Sequence, residues 1–101
     1  MKLLELLQSV KDQTLEKEQL EEYRDSLCSM YSDLQIEVAD LEKKEAIYYV
    51  SNKTPEKSAV SVKYDWKVTP EGQRLILLNR YLKGTSRVID SLKMRIYAKL
   101  T

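Results

Sequence analysis

Histidine and phenylalanine are absent from this chain of 101 residues, which has only 2 glycines, 2 prolines and 1 cysteine. Without histidine there is no imidazole acid or base, no Cys–His nucleophile pair and no His/Cys metal cluster. There is no Gly-rich phosphate loop and no G-x-S-x-G elbow. The lone Cys28 has no intrachain disulfide partner, so a reducing, cytoplasmic setting is expected. The 16 acidic residues would stand as solvated charges on open helical surfaces, whereas acid–base catalysis needs a desolvated pocket. The expectation is a non-enzyme without cofactor or metal. Long apolar runs are missing as well. MKLLELLQSV is interrupted by Glu5 and Gln8 and reads as an amphipathic turn instead of a signal peptide, and nothing is long enough to span a bilayer, so no membrane is expected as a partner.

What remains is material for helices. Both prolines lie between residues 54 and 71 and 33% of the residues are charged, which suits a coiled coil better than a thick globular core. Leu20, Tyr23, Leu27, Met30, Leu34, Val38 (or Glu37) and Leu41 recur at steps of three and four. They predict a helix from about Leu15 to Val50, roughly 54 Å long at ~1.5 Å per residue. Thr14 is its candidate N-cap, with Glu16 and Glu18 in the first turn. A shorter helix from Lys2 to about Lys11, burying Leu3, Leu6, Leu7 and Val10, precedes it, and DQTLEKEQ contains no breaker to stop the two fusing.

The cleanest periodicity is C-terminal. Leu75, Leu78, Leu82, Thr85, Ile89, Leu92 and Ile96 form a packing seam at alternating steps of three and four. Thr69-Pro70-Glu71 supplies N-cap, N1 proline and first-turn acid. Leu77, Tyr81 and Val88 form a second stripe beside the seam, and Gly84 is either a tolerated surface glycine or a point of close helix approach. The fold expected is all-α: a single elongated helical hairpin or coiled coil over residues 1–101. It has an acidic N-terminal part (2–51), a short central element (54–68) and a basic C-terminal helix (69–100). Such a shape leaves apolar seam uncovered, so a homo-oligomer is expected.

The central element is ambiguous. In SAVSVKYDWKV, Val60, Val62, Tyr64, Trp66 and Val68 alternate with polar residues as in a half-buried β-strand. No second segment alternates, so a strand would need a partner from another subunit. Thr54-Pro55-Glu56 repeats the helix-start signal found at residue 69, and Ala59, Val62 and Trp66 share a helical face while Lys63 and Lys67 share another. The prediction is a helix over roughly 55–67, with an intersubunit strand as the alternative.

Charge is polarised along the chain. Residues 1–47 hold 12 acids and 6 bases, residues 48–101 hold 4 acids and 11 bases. Two explanations compete: acid–base pairing between antiparallel helices, and a polyanionic partner. Tyrosines and the single tryptophan are interleaved with the basic residues, the combination that sequence-tolerant single-strand binding uses.

The C-terminal region reads KS-x4-K-x6-PE followed by L-x2-L-x2-YLK-x5-ID-x-LK-x-R, carried by Lys57-Ser58, Lys63, Pro70-Glu71, Leu75, Leu78, Tyr81-Leu82-Lys83, Ile89-Asp90, Leu92-Lys93 and Arg95. In this pattern the chain resembles small helical phage proteins of the UvsY-type recombination mediator family. It is shorter than that family and lacks its longer acidic, glycine-containing insert. The resemblance implies a non-catalytic, oligomeric accessory factor of phage recombination or replication in the bacterial host cytoplasm. Such a factor binds single-stranded DNA and helps a RecA-type recombinase load against a single-strand-binding protein. The candidate nucleic-acid-binding residues are Lys53, Lys57, Ser58, Lys63, Lys67, Arg74, Tyr64 and Trp66. The competing expectation is a structural or adaptor coiled coil, including a phage inhibitor of a host protein, that works through protein contacts.

Overall fold

The computed structural model describes residues 3–100. The chain is all-helical, with α1 (Leu3–Ser9), α2 (Lys17–Asn52), α3 (Ala59–Lys67) and α4 (Pro70–Leu100), and no strand occurs among the described residues. Contacts divide it into two units, one of Met1–Asp33 with Leu82–Thr101 and one of Leu34–Tyr81. The helices α2 and α4 contribute a segment to each.

In the first unit Leu6, Val10, Leu15, Leu20, Leu27, Ile89, Leu92 and Ile96 form the buried core, with Leu3, Leu7, Tyr23, Met30, Tyr31 and Val88 packed against it. Burying one such leucine contributes roughly 1.5–3 kcal/mol. Lys2, the predicted start of the first helix, lies outside the described residues. The first two helices do not fuse: the chain leaves helical geometry between Val10 and Glu16. The Asp12 carboxylate accepts from the Thr14 amide at 2.8 Å and from its hydroxyl at 2.7 Å, a local alternative to the helical ladder that short polar side chains provide. The two Thr14 bonds hold the Asp12 carboxyl below its usual value of 3.8. Arg95 clamps the same turn, donating to the carbonyls of Val10 and Asp12 at 2.5 Å each. Thr14 is therefore not the N-cap of α2. Glu16 takes that place: its carbonyl accepts from Leu20 N at 3.0 Å and the Gln19 side chain accepts from its amide at 2.9 Å, one half of a capping box.

In the second unit Val38, Leu41, Val62, Trp66, Leu75 and Leu78 are buried. Ion pairs Arg74–Glu37 (3.1 Å) and Lys44–Glu71 (3.4 Å) tie α2 to α4. Moving forward on α2 moves backward on α4, so these segments run antiparallel. Pro55 stops α2, since it lacks an amide donor and disfavours helix at Thr54. The chain then turns, with Lys57 N donating to Thr54 O at 3.1 Å.

The predicted helix start at Thr54 is thus displaced. The α3 helix begins at Ala59, and its N-cap is Ser58, whose hydroxyl accepts from Ser61 N at 3.1 Å. The strand alternative for this segment does not hold in the chain as described. Val62 and Trp66 point inward, whereas Val60, Tyr64 and Val68 are exposed. Two stripes at i, i+4 on opposite sides of one helix look like strict alternation when read along the sequence.

The start of α4 behaves as predicted. Thr69 Oγ1 accepts from Gly72 N at 3.0 Å and Thr69 O from Gln73 N at 2.9 Å, with Pro70 at N1. Thr69 also donates its hydroxyl to Trp66 O at 2.6 Å, and the Gln73 side chain donates to Lys67 O, so the last carbonyls of α3 are met by the first turn of α4. This close approach requires Gly72, where an added Cβ would stand 1.9 Å from Trp66 O. Gly84 is the opposite case, with nothing among the described residues within 4 Å of such a Cβ. Along the α4 seam Leu75, Leu78, Thr85, Ile89, Leu92 and Ile96 are buried and Leu82 is half-buried. The seam is occupied within the chain itself, and Thr85 Oγ1 is buried with no hydrogen-bond partner among the described residues.

Candidate nucleic-acid interface

Helical spacing assembles one open groove in the second unit. Glu42, Glu45, Ala46, Tyr49 and Val50 lie at i, i+3, i+4, i+7 and i+8 on α2 and so share a face; Ala59, Lys63 and Lys67 do the same at i, i+4 and i+8 on α3. Together these eight residues line a groove of about 720 Å³. The α2 side contributes two carboxylates, the α3 side two ammonium groups, and Ala46, Val50 and Ala59 the apolar part of the lining.

The cations and aromatics predicted from the sequence fall into two groups. Lys63 and Lys67 line the groove, and Lys67 also stands over the ring of Tyr64 at 5.5 Å. Lys53, just past the end of α2, lies over the ring of Tyr49 at 5.6 Å. Tyr64 is 64% exposed, so its ring is available to a stacking partner. None of these three lysines pairs with a carboxylate among the described residues.

The other four predicted residues have structural employment. Lys57 pairs with Asp65 at 2.9 Å, and that bond raises its pKa above the ordinary 10.5. Arg74 forks onto both carboxylate oxygens of Glu37 at 3.1 and 3.2 Å, and these bonds raise its pKa above the ordinary guanidinium value. Ser58 caps α3. Trp66 is buried, 4% exposed, with its ring 5.5 Å from that of Tyr48 and tilted by 55°. Burial of the flat ring face leaves nothing for a base to stack on.

Periodicity along α2 was the signal for three groove residues missing from the predicted set. Tyr49, Glu42 and Glu45 share one face with Ala46, but a contact to α3 cannot be read from a single helix.

No helix among the described residues is long and apolar enough to cross a membrane. Compared with protein-family models, with curated proteins and with solved structures, the chain finds a match in none of the three.

Proposed function

We propose that this chain is a non-catalytic single-stranded DNA-binding accessory protein of phage recombination or replication, and that it works as a homo-oligomer. The observation that carries the reading is the lack of partners on the basic half. Of the 11 cations after residue 47, only Lys57 and Arg74 pair with a carboxylate among the described residues, and Arg95 is taken by backbone carbonyls. Acid–base pairing between helices therefore accounts for little of the charge polarity. Lys53, Lys63 and Lys67, next to Tyr49 and the exposed Tyr64, are the combination of phosphate-tracking cations and base-stacking rings that strand binding uses. Participation in recombination, with a RecA-type recombinase and a single-strand-binding protein as partners, rests on the resemblance of residues 57–95 to the UvsY-type mediators. Self-association is supported by large apolar side chains left in water, Val50 and Val68 at 78% and 77% exposure among them.

The acidic wall of the groove favours a second reading, an adaptor that binds a protein helix. Glu42 and Glu45 line the same groove as Lys63 and Lys67, together with Ala46, Val50 and Ala59, and mixed charge flanking apolar surface is how helix pairs choose each other.

Size exclusion with light scattering, with and without single-stranded oligonucleotide over a salt series, separates the two. The proposal expects an oligomer that takes up DNA and releases it as salt rises, because each neutralised phosphate gives up counterions. Salt-insensitive oligomers with no uptake at low salt would favour the adaptor.

A further inference from the structure

The groove holds a contradiction that a purely electrostatic strand binder does not explain. Lys63 and Lys67 suit a phosphate, but Glu42 and Glu45 line the same space and repel one. Neither carboxylate forms an ion pair among the described residues, where those on this stretch of α2 join Lys44 to Asp40 and Glu71, and Arg74 to Glu37. A ligand that carries an anion on one side and N–H donors on the other satisfies both walls. A nucleotide has that layout when its base bears an exocyclic amino group. Cytosine offers its N4 amine to a carboxylate acceptor, whereas thymine presents two carbonyls and a methyl group with a single ring N–H. Tyr49 lines the groove with the Lys53 ammonium over its ring, so an aromatic ring and a cation stand together at the groove.

We infer that the α2–α3 groove is a base-reading subsite for single-stranded DNA. Glu42 and Glu45 accept hydrogen bonds from exocyclic base amines while Lys63 and Lys67 hold the adjoining phosphates, so the chain prefers cytosine-containing strands to thymine-containing ones. This rests on the single-strand-binding reading above and adds a selectivity to it. Sequence-tolerant binders show modest preferences that come from stacking and backbone flexibility. Comparing two pyrimidines keeps stacking nearly constant and isolates the hydrogen-bonding contribution.

The test is fluorescence anisotropy with labelled oligo-dC and oligo-dT of equal length, at mildly alkaline pH where cytosine is unprotonated. Wild-type protein should bind oligo-dC roughly fivefold or more tighter, the lower end of what one good base-edge contact discriminates. In the double variant Glu42→Ala, Glu45→Ala the two affinities should converge, with oligo-dT binding improved by the loss of repulsion. Glu42→Gln, Glu45→Gln removes the charge but leaves a carbonyl acceptor beside a new amide donor that thymine O4 can accept from; it should bind both strands more tightly with a smaller preference for oligo-dC. Circular dichroism confirms that each variant is folded. Equal wild-type affinities, or a preference that survives the alanine pair, overturn the inference and leave strand binding itself standing. Absence of binding to either strand ends both readings.

Discussion

Replacing Gly72 by alanine should destabilise this protein, although the same change in an ordinary helix stabilises by about 1 kcal/mol. The new Cβ would lie 1.9 Å from Trp66 O, 2.8 Å from Trp66 C and 3.0 Å from Lys67 Cα. All three are backbone atoms, so no side-chain rotation relieves the overlap, and the last turn of α3 must move away from the first turn of α4. That movement lengthens the Gly72 N to Thr69 Oγ1 cap and the bond from Thr69 to Trp66 O, and loosens the packing of the buried Trp66 ring. Losing the cap costs about 1 kcal/mol and forced displacement in a packed region roughly 1–3 kcal/mol. After subtracting the propensity gain, the net loss is on the order of 2 kcal/mol. For a chain of this size that corresponds to a fall in Tm on the order of 10 °C. The assay is thermal and urea unfolding at one fixed protein concentration, followed by far-UV circular dichroism and by fluorescence of the single tryptophan. A Gly72→Ala variant as stable as wild type, with unchanged Trp66 emission, would refute the close approach of α3 and α4.

Gly84→Ala meets nothing within 4 Å, so it should stabilise by up to about 1 kcal/mol in the same unfolding assay; a loss would mean that something packs on Gly84. Thr85→Val keeps the shape of a buried side chain whose hydroxyl has no partner, and should raise the urea midpoint by the equivalent of about 1 kcal/mol, whereas a lowered midpoint would show that the hydroxyl is bonded. Asp12 has its folded pKa below 3.8 because of Thr14. The stability it contributes is therefore complete above 3.8 and is lost as pH falls through the lower folded value. Asp12→Asn should accordingly flatten the acid limb of the stability–pH curve below that pH and leave the alkaline side unchanged; an unaltered acid limb would contradict the turn.

How much was legible in the sequence depended on whether a signal was local. Thr69-Pro70-Glu71 and Thr54-Pro55-Glu56 are nearly identical helix-start signals, yet only the first starts a helix. At Thr69 the hydroxyl reaches the Gly72 amide, whereas after Thr54 the chain makes a turn and Ser58 caps the helix instead. The α4 seam was readable because its period of three and four runs unbroken for over twenty residues, each position reinforcing the next. The alternating segment was ambiguous because two helical stripes, one buried and one exposed, interleave with the period of a strand; the helix predicted there is the element found, with its start displaced to Ala59. In the candidate site, Lys63 and Lys67 were recoverable from spacing alone. The employment of Lys57 and Arg74 was not, since Arg74 meets Glu37 across 37 positions of sequence.

The central claim is that Lys53, Lys63 and Lys67 contact the strand while Lys57 and Arg74 serve the fold, and the salt dependence of oligonucleotide binding tests it most directly. Removing all three contact lysines as alanines should weaken binding and reduce the slope of log K against log salt by about 2, at ~0.7 per phosphate contact on a single strand. The Lys57→Ala, Arg74→Ala pair should lower stability and leave that slope unchanged. A slope unmoved by the triple variant, or one reduced by the Lys57 and Arg74 changes instead, would contradict this account of the site.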